Sequence, residues 1–370
     1  MPTHPPADRA GTAGRLLLVS RDDALDSLLA RRRVAAHVTE ARLVSPPDPG
    51  GAAPAPAPGS HAAPAPAGAP DSAPGPGRAG GAEDGPPADA ALVCDDPAAA
   101  ERLVARGVPV VHLRSGHIPA GPGPAPDGRA LYRVHRPGWL PAPGPGDDGT
   151  RATGTLAPVR TARARRRSGT LLLLSLWDVP EPEAAAFASD SLPALVRAAA
   201  RRSGSCAVVY DSAGPLVRAA LDALGPPPVA AGSPAPPGRA ARDAVPGAGP
   251  PPRESPAVTV CRAADTDVDA LHAGAEVFLA APTLAGLALA YARRAPVTLL
   301  PPLGAAQRDL ADRVAARVRL PTATDPDDPA PWRPADGPGH PWDALDPALD
   351  DLRGAQRVAR TLRQLSFAPL

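Results

Sequence analysis

Two histidines, His112 and His117, stand five residues apart at the end of an apolar run, with Arg114 between them. Imidazole titrates near neutrality, so either ring can remove the one proton that group transfer to a hydroxyl releases. His112 lies within the apolar run and reads as a core histidine. His117, between Gly116 and Ile118, is the more exposed ring and the candidate general base. A metal pair fits the spacing, but no third ligand accompanies it, so no metal is expected. Arg114 and Arg308 offer forked donors to phosphate oxygens. Trp177, just after an apolar run, can stack on a base or sugar, or pack beneath a linker. Asp22 and Asp23 follow the first apolar run, where a carboxylate can serve proton transfer or cap the next helix; capping is the default.

The elements that must position these groups follow a β/α rhythm. Arg15 to Ser20 reads as a strand, and Asp22 to Arg33 as a helix with Leu25, Leu28 and Leu29 on one face. Val34 to Val44 reads as a weaker strand. After a Pro/Gly/Ala-rich stretch, Ala91 to Cys94, a helix beginning at Pro97 and ended by Gly107, and Val108 to Leu113 form a strand, helix, strand unit. A right-handed crossover of that kind implies a parallel sheet. The rhythm restarts at Thr170 with strand, helix from Pro193 to Arg202, strand Cys206 to Tyr210 and helix Pro215 to Leu224. It resumes at Ala257 with AVTVCR. Asp267 to Val314 then packs a strand, a Pro-Thr loop, an Ala/Leu helix, a second strand, a Pro-Gly loop and an amphipathic helix into one block. A closing helix is expected from Asp350 to Leu365, docking across the domains.

Composition narrows the function classes. The 39 cations, all arginine, balance 38 acids to a net charge of +1, which argues against a nucleic-acid partner. Lysine and asparagine are absent, as a GC-rich coding sequence explains without selection on chemistry. The short basic run Arg163 to Arg167 reads as a solvated hinge. Cys94, Cys206 and Cys261 are odd in number and far apart, which suits reduced thiols in a cytoplasm. No secretory signal is expected from the first residues, and Val277 to Ala292 is too short and too broken by Pro282 to span a bilayer. Proline (55) and glycine (35) are concentrated in segments, so disordered insertions are expected at 46–88 and 225–256. The organisation that follows is a disordered N-terminus (1–13), a Rossmann-like domain (14–150), a hinge (151–169) and a second Rossmann-like domain (170–370).

With these residues in view, the C-terminal half resembles the donor domain of GT-B glycosyltransferases, particularly the lipid-linked GlcNAc transferase of peptidoglycan synthesis, and the related UDP-GlcNAc 2-epimerases. ATGTLAPVR resembles the family's hinge, Glu276 to Ala311 its donor block, and GVPVVHLRSGH its N-domain strand and loop before the cleft. A closer resemblance is to the CGA synthase-related proteins of high-GC bacteria. The resemblance implies an α/β fold of two Rossmann-like domains whose parallel sheets face a cleft. It also implies a nucleotide-sugar donor held by Ser175, Thr283 and the loop from Gly304 to Gln307 with Arg308, Trp177 lying beside it. An acceptor, small or lipid-linked, would be held at Arg114 to His117.

Departures from the family pattern are specific. The loop before the central helix is Ala280-Ala281-Pro282-Thr283 and lacks the glycines that let backbone amides approach a diphosphate. Gly286 stands where the family has a Glu for the ribose, and Leu310 where it has an Asn. His112-Leu113-Arg114 replaces the epimerases' His-x-Glu. Two readings stand on this evidence: a transferase or related nucleotide-sugar enzyme with a degenerate donor site and no cofactor, or a catalytically inactive binding or regulatory protein on the same fold.

Overall fold

The computed structural model describes residues 15–38, 42–44, 88–115, 130–143, 152–224, 257–329, 332 and 340–367. The expected disordered N-terminus, nearly all of both expected insertions and His117 lie outside the described residues.

The N-terminal sheet is built from β1 (Arg15–Ser20), β2 (Arg42–Val44), β3 (Ala90–Cys94), β4 (Val110–Ser115) and β5 (Ala130–His135), in the spatial order β2-β1-β3-β4-β5. The C-terminal sheet is built from β6 (Thr170–Leu174), β7 (Ser205–Tyr210), β8 (Ala257–Arg262), β9 (Val277–Ala280) and β10 (Thr298–Leu299), ordered β10-β9-β6-β7-β8. All neighbouring strands pair in parallel. Near-continuous apolar runs such as Thr170–Leu174 are what a parallel sheet covered on both faces demands, and all five residues of that strand are buried.

The connecting helices are α1 (Leu25–Ala35), α2 (Pro97–Ala105), α3 (Glu181–Ala186), α4 (Leu192–Ser203), α5 (Gly214–Asp222), α6 (Val268–Gly274), α7 (Leu284–Ala292) and α8 (Gly304–Ala315). The last described helix is α9 (Gly354–Phe367). Ala355, Val358, Ala359 and Leu362 of α9 enter the core of the N-terminal sheet with Leu16, Leu18, Val34 and Leu92. The expected strand from Val34 is corrected: α1 continues to Ala35, because Val34 is fully buried against that core, and among the described residues the strand is 42–44.

The order of each sheet places a switch point, where successive connections leave in opposite directions, between β1 and β3 in the first domain and between β6 and β9 in the second. Open parallel sheets hold ligands in the crevice at the carboxyl ends of such strands. Here the two crevices face each other. Leu25, Leu28 and Leu29 of α1, with Trp139 and Leu140 after β5, belong to the same buried cluster as Phe278, Leu284, Leu287, Tyr291 and Trp342 of the second domain. The hydrophobic core therefore runs continuously across the domain seam.

Candidate functional site

The loops at both switch points enclose one cavity, lined by Leu25 and Asp26 of α1, Asp95, Ser115, Ser175, Trp177, Thr283 and Gln307. Its volume is about 20 Å³. That is room for one water molecule, against the several hundred Å³ that a drug-sized ligand fills.

Charge explains the closure. The first amides of a helix have no partner in their own helix, and the helix dipole favours an anion there. At α7, whose N-terminus lies where the resemblance would place a donor phosphate, the anion is internal. The Asp26 carboxylate, 6% exposed, accepts the Leu284 amide at 3.1 Å and the Ala285 amide at 2.7 Å. Thr283 caps the same turn, its hydroxyl accepting the Gly286 amide at 3.1 Å. The reciprocal arrangement holds α1. Asp211, at the end of β7 and 1% exposed, accepts the Leu25 amide at 3.1 Å across the seam.

Asp211 gathers four further donors: the Ser175 hydroxyl at 2.6 Å, the Leu176 amide at 2.9 Å, and the amide and hydroxyl of Ser212. Burial pushes its carboxyl above the ordinary aspartate value, while the hydrogen bonds from Ser175, Leu176, Leu25 and Ser212 pull the other way. Ser175 thus spends its hydroxyl on a neighbour in its own domain. Gln307, 6% exposed, is spent likewise. Its amide nitrogen donates to the Ser175 carbonyl at 2.8 Å, and its carbonyl accepts the Leu303 amide at 3.1 Å.

A third helix start is filled in the same manner. Gly304 opens α8 with φ +65°, a left-handed conformation that glycine adopts without strain. Glu183 of α3 is held below the ordinary glutamate value, first by its hydrogen bond from Arg308 and then by the Gly304 amide. Arg308 reaches that carboxylate at 2.7 Å. Its guanidinium is thereby committed to a carboxylate of its own domain, not to the cleft cavity.

The remaining sequence candidates fall outside or at the edge of this centre. Trp177 lines the cavity with the Arg21 guanidinium 5.3 Å over its ring. Arg114 does not line the cavity; Ser115 beside it does, donating its amide and hydroxyl to Asp95 at 2.6 and 2.7 Å. His112 is buried in β4, edge-on to Tyr132, with no hydrogen-bond partner at either ring nitrogen. Burial, and then the nearby Arg114, push its pKa down to about 4, so it is neutral at working pH. Asp22 and Asp23 leave α1 uncapped by any side chain of its own; Asp211 supplies that partner.

Gly286, where the resemblance leads one to expect a carboxylate, is crowded. A Cβ there would lie 3.1 Å from the Thr283 hydroxyl and 3.2 Å from the Ala280 methyl. The missing side chain and the tight turn are therefore one structural feature. Asp26 and Asp211, the two residues that organise the site, were not singled out from the sequence; the available signal was an acid in the first turn of one helix and an acid ending one strand. Among the described residues no group of three or more His, Cys, Asp or Glu side chains could hold a metal, and no helix is long and apolar enough to cross a membrane.

Compared with known proteins, the chain matches the family described as CGA synthase-related protein over residues 16–233 and 237–370. Similar solved structures include the spinosyn rhamnosyltransferase SpnG complexed with spinosyn aglycone, at 14% identity and TM-score 0.42, covering 95% of this chain and 96% of that one. SnogD from Streptomyces nogalater is 14% identical with TM-score 0.35, covering 96% and 95%. MurG from Acinetobacter baumannii is 11% identical with TM-score 0.37, covering 75% and 74%. At such scores these likenesses add nothing to the strand order itself, which carries the two-domain reading. No protein of curated function matches the chain at a significant level.

Proposed function

The chain belongs to the CGA synthase-related family, and from that premise we propose that it is a binding or regulatory protein on a GT-B-like fold, without transferase activity at its domain seam. The observation that carries this reading is the Asp26 carboxylate seated on the Leu284 and Ala285 amides, in a cavity of about 20 Å³. A nucleotide diphosphate would need those amides and far more room. The side chains expected to grip it, Ser175, Thr283, Gln307 and Arg308, already have intramolecular partners.

Opening the seam is the step a transferase would require. It would strip Leu25, Leu28 and Leu29 from the shared core, at a cost of roughly 5–9 kcal/mol for three leucines. Domain motion is the ordinary expectation for two-domain proteins unless the interface is large and apolar, and here apolar side chains of both domains share one buried cluster. On this proposal the cleft takes neither a nucleotide-sugar donor nor an acceptor.

Calorimetric titration with UDP-, GDP- and TDP-sugars tests it, paired with an assay for released nucleotide. Neither heat nor turnover is expected. Saturable binding, accompanied by turnover that Thr283→Ala abolishes, would establish the transferase reading in its place.

A further inference from the structure

A much larger cavity, about 1020 Å³, opens beside the hinge, between the C-terminal half of α1, the linker 159–164, the start of α6 and the end of α7. Its wall carries five arginines, Arg32, Arg33, Arg160, Arg163 and Arg293, against three aspartates, Asp265, Asp267 and Asp269. The excess of cations is only part of the point; how they are partnered matters more.

Three of the guanidiniums are hydrogen-bonded to neutral partners, and a fourth is shared between a carbonyl and a carboxylate. Arg32 donates to the carbonyls of Ala263, Ala264 and Thr266, and Arg163 to that of Ala275. Arg293 donates to the Arg160 and Asp269 carbonyls at 2.9 and 2.8 Å, and contacts His272 Nδ1 at 2.8 Å. Arg33 donates to the Leu156 carbonyl and, at 2.9 Å, to Asp269, whose charge also faces Arg293 and Arg32. Asp267 caps α6 through the Ala270 amide, and Asp265 stands exposed at the rim. Carbonyl partners fix the direction of a guanidinium and leave its charge in place.

The field that results registers on its members. Burial, then Arg167 and Arg293, bring the Arg163 pKa down to about 10. The buried His272 is held well below its ordinary value by burial and then by Arg293, Arg163 and Arg33, so it contributes no further cation. Beside this charge lies apolar surface, Ala36, Ala162 and, at the rim, Val159, which is 59% exposed, over the buried Leu29 and Val268.

We infer that this hinge cavity binds a small amphipathic anion, a phosphate or carboxylate group carried on an apolar body, with the arginines meeting the anion and the exposed Val159, with Ala36 and Ala162, the body. The site lies apart from the closed cleft and stands whether or not the reading of the cleft does. A ligand there would touch α1 of one domain, α6 of the other and the linker between them, and so would bind only the docked pair of domains.

Calorimetric titration with hexyl phosphate, hexanoate, inorganic phosphate and hexanol tests it. Hexyl phosphate or hexanoate is expected to bind about tenfold more tightly than inorganic phosphate or hexanol, and the better of the two names the headgroup. Arg160→Glu, at an exposed position that leaves the fold intact, and Arg163→Gln are each expected to weaken that binding by about tenfold, and Val159→Ser to reduce the advantage of the hexyl chain. The same charge reversal at the exposed Arg102 of α2, Arg102→Glu, away from the cavity, should leave it unchanged. Absence of saturable binding by both hexyl anions, binding indifferent to Arg160→Glu and Arg163→Gln, or an equal loss with Arg102→Glu would overturn the inference.

Discussion

The Asp26 carboxylate, in the N-terminal domain, meets the Ala285 amide of the C-terminal domain at 2.7 Å, joining residues 259 positions apart. A helix N-terminus that could receive a phosphate receives a side chain of the same protein instead, and the two domains are held together by the group that closes the cleft. Asp26→Asn preserves the shape and removes the charge. It should destabilise the protein by about 1–2 kcal/mol, the usual worth of a charged cap in a buried setting. Urea unfolding checks this, and an unchanged midpoint would show that the seam does not depend on Asp26.

Asp211 holds more donors than any other carboxylate of the site. Asp211→Ala strands the Ser175 hydroxyl and the amides of Leu25, Leu176 and Ser212 in a buried place. A loss of at least about 3 kcal/mol is expected, since each buried unsatisfied donor costs about 1–3 kcal/mol. Ser175→Ala alone should cost about 1 kcal/mol, and the double variant should be no worse than Asp211→Ala. Full additivity of the two losses would contradict the direct contact.

Acid should weaken the fold through His112. Its folded pKa of about 4 lies below its ordinary value of 6.5, so the native ring stays neutral while the unfolded chain takes up a proton. Stability is therefore present in full above pH 6.5 and falls as the pH drops towards about 4, by roughly 3 kcal/mol in all. The buried His272 shifts in the same direction, so the readout is a difference. His112→Leu should gain on the parent protein as the pH is lowered from about 7 to about 4.5. Parallel stability curves for the two proteins would refute the assignment.

Restoring a carboxylate at the crowded turn should fail. Gly286→Glu forces its Cβ within 3.1 Å of the Thr283 hydroxyl, so a loss of about 1–3 kcal/mol is expected, with no nucleotide binding gained. A stable Gly286→Glu protein that binds a UDP-sugar would show that the cleft can open.

The β/α rhythm was legible because burial on both faces of a parallel sheet leaves a local trace. Val277–Ala280 and Ala257–Arg262 are visible as short apolar or β-branched runs, and Leu25, Leu28 and Leu29 as one helical face. Val34 was misread because a β-branched residue favours a strand locally, whereas here it completes a core shared with α9, more than three hundred residues along the chain. Thr283 and Gln307 stand out in the sequence as loop residues, but the intramolecular partners that occupy both leave no local pattern.

The sequence by itself determined the strand and helix succession, the parallel connections and the identity of the loops that meet between the domains, because each depends on periodicity and turn chemistry within a few tens of residues. Only the tertiary structure decided whether those loops enclose a ligand site. Asp26 looks like any acid in the first turn of its own helix until the second domain is docked against it. Asp211 likewise gains a partner 186 positions away only once the seam closes. Charge complementarity between distant segments leaves no periodic trace in the chain. The same docking left the arginines of α1, the linker and α7 around one cavity, and their shared field exists only where those three segments meet.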